Sequence, residues 1–161
     1  VIETASKVTD ELRDRIKKIK SKSDLISQTP KVLAIEWLSP PFIGGHWVPE
    51  MIELAGGINV IGKVTSPSRE ITWAEASDAD PDIVILMVCG FNLDTTIEEF
   101  KTSKTGSFWE NYSGKIYATD GSAYFSRPGP RIVDGLEILS EIIHPEDFPK
   151  KSPANAWLQL A

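Results

Sequence analysis

Apolar residues along the chain follow two alternating rhythms. Over residues 1–28, Ala5, Val8, Leu12, Ile16 and Ile19 recur at steps of three and four among acidic and basic side chains, the period of an amphipathic helix. A lone helix of that length cannot bury such a stripe, so it is expected to lie across one folded body or across two. Thr29-Pro30 ends it. Residues 29–148 then alternate short apolar runs with helical patterns. Strands are predicted over 31–37, 58–61, 83–88 and 115–119, and helices over 49–55, 94–100 and 130–143. Another helix is expected to open at Thr72-Trp73-Ala74-Glu75, a capping-box pattern. The run 83–88 is unbroken in its apolar character, as a parallel strand covered on both faces requires. Residues 149–161 are expected to form an extended tail.

This alternation predicts an α/β lobe: a Rossmann-like parallel sheet with helices on both faces, preceded by a long linking helix. In such sheets ligands bind outside the carboxyl ends of the strands, because the loops leaving those ends share one edge. The first strand's exit carries Trp37, Phe42, His46 and Trp47. The third carries Cys89-Gly90-Phe91, and the fourth carries residues 120–129, with Tyr124, Phe125 and Arg127. In the first exit Pro40 and Pro41 stiffen the backbone, and Gly44-Gly45 is expected to reverse it. Aromatic rings on a constrained loop point to a large, flat, partly polar ligand held by stacking, with Arg127 for a carboxylate, amide or phosphate.

Charge narrows the partners. Seventeen Lys and Arg against 23 Asp and Glu give a net charge of −6, which argues against nucleic acid. The single cysteine, Cys89, excludes an internal disulfide. Two histidines, His46 and His144, are too few to build a closed site for a bare metal ion, although His46 and Glu50 are four residues apart. No Gly-x-Ser-x-Gly elbow and no phosphate-cradling glycine loop is present.

Read together, Pro40-Pro41-Phe42, Glu53-Leu54-Ala55-Gly56-Gly57, Ser68-Arg69-Glu70 and Arg127-Pro128-Gly129-Pro130-Arg131 resemble the periplasmic cobalamin- and iron-chelate-binding proteins of ABC importers. The resemblance covers about residues 1–148 and only the second of that family's two lobes. It implies that residues 1–28 are the inter-lobe helix, residues 29–148 the C-terminal ligand-binding lobe, and an N-terminal lobe the missing partner. It further implies that Phe42 packs on a corrin, Arg127 contacts the ligand and Glu70 docks on the permease. The expected ligand is cobalamin or another corrinoid or metal chelate, with no further cofactor, and the expected location is extracytoplasmic. Three departures stand out. Val64-Thr65-Ser66-Pro67 replaces a tryptophan, Ala123 stands where an aspartate is expected, and His46 and Trp47 lie outside the family's pattern. Two other readings stay open: an α/β enzyme using His46, Glu50 or Asp120 as acid or base, and a cytosolic corrinoid-binding module.

Overall fold

In a computed structural model, residues 2–104 and 106–161 are described, with side chains from residue 5 onward. Four parallel strands form the middle of the sheet: β1 (Lys31–Leu38), β3 (Ile58–Asn59), β5 (Ile83–Leu86) and β6 (Lys115–Thr119). Strand β1 pairs in parallel with β3 near its start and with β5 along its length, and β5 pairs in parallel with β6. Alternate residues of each strand face opposite layers, so the apolar runs are buried twice over. Val32 and Ala34 of β1, with Ile83 and Ile85 of β5, enter a core completed by Met51, Ile52, Leu136 and Leu139. Leu33, Ile35, Val84 and Leu86 point the other way, towards Ile71, Ala76, Phe100 and Phe108.

Helices α1 (Ile2–Ser23), α2 (Val48–Leu54) and α7 (Arg131–Ile143) bring side chains to the first layer; α3 (Trp73–Asp78), α4 (Leu93–Ser103) and α5 (Ser107–Asn111) bring them to the second. The short helix α6 (Gly121–Tyr124) follows β6. Thr72 caps α3 as expected, its hydroxyl accepting from the Glu75 amide at 3.1 Å. The reciprocal half of the capping box is absent: the Glu75 carboxylate pairs with Arg69 instead.

Helix α1 lies on α7. Its Arg15 guanidinium reaches Asp134 at 2.5 Å and Glu137 at 2.7 Å, and those carboxylates hold Arg15 well above its ordinary pKa. Only the second half of the apolar stripe is used here. Ile19 is buried and Ile16 packs on the core, whereas Val8 is 45 % exposed.

Three strands were not predicted, and all are antiparallel. Residues 41–43 form β2 (Pro41–Ile43), which folds back on β1, and β4 (Arg69–Glu70) extends that side. The reversal after β1 therefore occurs at Ser39-Pro40, whose peptide bond is cis, and not at Gly44-Gly45. Gly45 serves another purpose. A Cβ there would lie 2.2 Å from the Ser68 amide nitrogen, so only glycine allows the two loops to meet. The tail does not stay apart from the lobe either. Its end forms β7 (Trp157–Gln159), which pairs with β6 and makes the order β4-β2-β1-β5-β6-β7.

Candidate functional site

Trp37, Phe42 and Phe91 come together at the carboxyl edge. Trp37 is 40 % exposed although it lies within a strand. It pairs directly with Phe42 across β1 and β2, so the two rings leave the same face of the sheet. Its indole nitrogen donates to the Ser39 carbonyl at 3.1 Å, which fixes the ring's direction. The ring centroid lies 5.6 Å from that of Phe91 at an angle of 57°, a tilted contact that leaves part of each face open. Phe91 hangs from the β5 exit, so its position follows from the sheet register rather than from nearness in sequence.

Glu70 continues this row, because Phe42 pairs with Glu70 in β4. Its carboxylate is exposed, and its own backbone carbonyl accepts from Arg69 at 3.2 Å. Arg69 in turn is engaged by Glu75, whose carboxyl is held below the ordinary range by that hydrogen bond. Among the described residues Glu70 has no cationic partner.

A cleft of about 380 Å³ opens beside Phe91, lined by Asn92, Thr95, Asp120, Arg127 and Arg131 among others. Asp120 caps α6, its carboxylate accepting from the Ala123 amide at 2.8 Å. Asn92 caps α4 in the same manner, accepting from the Thr95 amide at 2.9 Å. Tyr124 is half-buried; desolvation, with smaller contributions from Asp120 and Asp134, raises its phenol, which is therefore neutral and a hydrogen-bond donor at physiological pH. Larger cavities lie elsewhere. One of about 700 Å³ sits at the amino edge around Pro30, Ile83 and His144, away from every predicted ligand residue.

Three predicted ligand residues, Phe125, Trp47 and His46, do not line the cleft beside Phe91. Phe125 is 3 % exposed and belongs to the core, so its ring does not face the edge as expected; it covers Gly135 of α7. Trp47 is partly buried on the same core and donates its indole N–H to the Phe125 carbonyl at 3.0 Å, bracing the β2–α2 loop against α6. His46 is exposed in a left-handed conformation (φ 56°), held by its amide to Ser66 at 2.7 Å and its carbonyl to Thr65 at 3.0 Å. Because α2 begins at Val48, His46 precedes the helix and does not share a helical face with Glu50. Among the described residues no group of three or more His, Cys, Asp or Glu side chains is placed to hold a metal ion.

Arg131, Asn92 and Thr95 were absent from the sequence-based site. Arg131 had a legible signal, since it follows Arg127 across Pro128-Gly129-Pro130 at the same strand exit. Asn92 and Thr95 had only a helix-cap pattern, which identifies a helix start without saying what that start faces.

The elements define a fold class: an α/β lobe built on a mixed sheet with helices on both faces, its carboxyl edge carrying aromatic and basic side chains. No protein-family model matches the chain, and no curated protein matches it in sequence. Solved structures do. An ABC transporter substrate-binding protein from Listeria monocytogenes superposes with a TM-score of 0.78 at 19 % identity, over 89 % of this chain and 58 % of that one. A periplasmic heme-binding protein from Pseudomonas aeruginosa gives 0.74 at 16 % identity, over 98 % and 58 %. The periplasmic vitamin B12-binding protein BtuF of Vibrio cholerae gives 0.66 at 15 % identity, over 92 % and 56 %. The chain thus has the fold of a lobe of the periplasmic substrate-binding proteins of ABC transporters, and it spans little more than half the length of these three.

Proposed function

We propose that the chain is the C-terminal lobe of an extracytoplasmic substrate-binding protein, and that its carboxyl edge is one wall of a cleft for cobalamin or a similar metal chelate. The observation carrying this reading is the aromatic cluster in which exposed Trp37 of β1 meets half-buried Phe42 of β2 and half-buried Phe91 of the β5 exit. An indole left open to water beside two half-covered rings suits a broad, flat, partly apolar surface, which stacking and apolar burial reward together. The neighbours' ligands, heme and vitamin B12, are of that shape, and their names describe binding proteins rather than enzymes. No described helix is long and apolar enough to cross a membrane.

The test is a calorimetric titration of the chain with cyanocobalamin, heme and ferric chelates, repeated with Phe42→Ala and Trp37→Ala. Each truncation is expected to weaken binding by about tenfold, the consequence of losing roughly 1.5 kcal/mol of ring contact. Absence of binding by every chelate at high micromolar concentration would refute the reading.

Glu70 is the proposed docking carboxylate for the permease. It is exposed, lacks a cationic partner among the described residues, and has a backbone held by β2 and Arg69. Glu70→Lys in the transporter is expected to abolish chelate uptake while chelate affinity stays within twofold, about 0.4 kcal/mol. A module that never meets a permease would show no such split between uptake and binding.

A further inference from the structure

Arg13, Arg15, Arg69, Arg127 and Arg131 are the arginines of this chain. Three are neutralised: Arg13 by Asp10, Arg15 by Asp134 and Glu137, and Arg69 by Glu75. The remaining two, Arg127 and Arg131, make no ion pair or side-chain hydrogen bond among the described residues, and both line the same cleft of about 380 Å³ beside Phe91. This happens in a chain with 23 acidic and 17 basic residues, where carboxylate partners are in surplus. The cleft's own carboxylate, Asp120, already spends an oxygen on the Ala123 amide. The segment between the arginines is Pro128-Gly129-Pro130, whose prolines restrict the backbone and so limit how far the two guanidinium groups can drift apart. Arg131 also acts electrostatically on Tyr124, opposing the effect of Asp120 and Asp134 on that phenol, so its charge is felt within the edge itself.

From this arrangement we infer that the edge selects chelates bearing net negative charge, with Arg127 and Arg131 gripping two peripheral carboxylate or similar oxyanion groups while the Trp37–Phe91 step holds the flat body. The inference rests on the ligand-wall reading above and narrows it, separating anionic metal chelates from uncharged corrinoids and uncharged iron chelates. The chemistry follows from the side chains. Guanidinium forks accept planar oxyanions through paired N–H donors, and two such forks beside half-free polar groups of Asn92 and Thr95 leave an uncharged ligand with unpaired cationic donors opposite it. An uncharged chelate would gain the stacking contact and forgo the charge-assisted bonds.

The test uses ferric citrate as the anionic probe, with cyanocobalamin and the uncharged trihydroxamate ferrichrome as comparators, titrated into the 161-residue chain. Ferric citrate is expected to bind at least tenfold more tightly than either comparator. Arg127→Ala with Arg131→Ala is expected to remove about 100-fold of the ferric citrate affinity, roughly tenfold per arginine, and to leave the comparators within twofold. Replacing both by lysine should restore part of the loss, since charge is kept and the fork is not. Arg13→Ala, at an exposed arginine that pairs with Asp10 and does not line the cleft, should change nothing. A second measurement needs no substitution. Raising ionic strength from about 0.01 to about 1 M shortens the screening length from about 30 to about 3 Å and should weaken ferric citrate binding tenfold or more. Equal affinity for charged and uncharged chelates, or an unchanged affinity in the double variant, overturns the charge selection and leaves the ligand wall standing. Silence from all three probes overturns both.

Discussion

Glu141→Ala is expected to cost the fold about 4 kcal/mol and to release the end of the chain from the sheet. The Glu141 carboxylate is 5 % exposed, inside α7. It accepts from the Lys151 amide at 2.7 Å, the Ser152 amide at 2.9 Å, the Ser152 hydroxyl at 2.5 Å and the Trp157 indole at 2.9 Å. Truncation removes the acceptor of the Lys151 and Ser152 amides and leaves the Trp157 indole only the Ser152 hydroxyl at 3.0 Å; each donor stranded out of reach of water costs about 1–3 kcal/mol. Trp157 would lose most, because its edge-on contact with Tyr117 at 5.7 Å and the Lys150 ammonium 4.0 Å above its ring both depend on the indole staying in place. Urea unfolding measures the loss. Hydrogen exchange should show protection vanishing first at the β6–β7 pairing of Tyr117 with Gln159. Glu141→Gln should be milder, since its amide oxygen keeps one strong acceptor. A change below about 1 kcal/mol for the alanine variant would mean that the tail is held by β7 alone.

Gly121→Ala is expected to lower stability by about 3 kcal/mol and, in the same step, to damage the cleft. A Cβ at this position would lie 2.3 Å from the Val88 carbonyl oxygen and 2.8 Å from the Met87 carbonyl carbon. Both obstacles are backbone, so no rotamer change relieves them. The β5 exit and the start of α6 must then separate, which breaks the 3.0 Å bond from the Ser122 amide to the Phe91 carbonyl. That bond sets Phe91 against the arginine-lined cleft. The melting temperature should fall by roughly 5–10 °C, with chelate affinity falling alongside. A stable variant with unchanged binding would show that the two strand exits are not mechanically joined. Gly129→Ala, where an added Cβ meets nothing within 4 Å, is the matched control.

Much of the fold was legible because it rests on local periodicity. The runs around Ile35, Ile85 and Tyr117 are apolar on both faces, and that pattern has few meanings outside a covered parallel strand. The candidate site was legible as an edge and only partly as a set of residues. Trp37, Phe42 and Phe91 meet as the edge rule requires, whereas Phe125, in the same aromatic stretch as Tyr124, turns inward. No local signal distinguishes Tyr124 from Phe125; a one-residue change of direction in a four-residue helix decides which ring is core.

Sequence by itself determined the order of the four parallel strands and the longer helices, the doubly covered sheet, the aromatic exit after β1 and the excess of acidic charge. Each is a property of neighbours along the chain or of composition. Tertiary structure alone decided that residues 41–43 fold back as a strand and set Phe42 and Glu70 on one row with Trp37. It also made Trp47 a brace, returned the tail to the sheet beneath Glu141, and left Arg127 and Arg131 without carboxylate partners among the described residues. Those outcomes depend on which distant backbone or carboxylate arrives nearby, and periodicity carries no information about that.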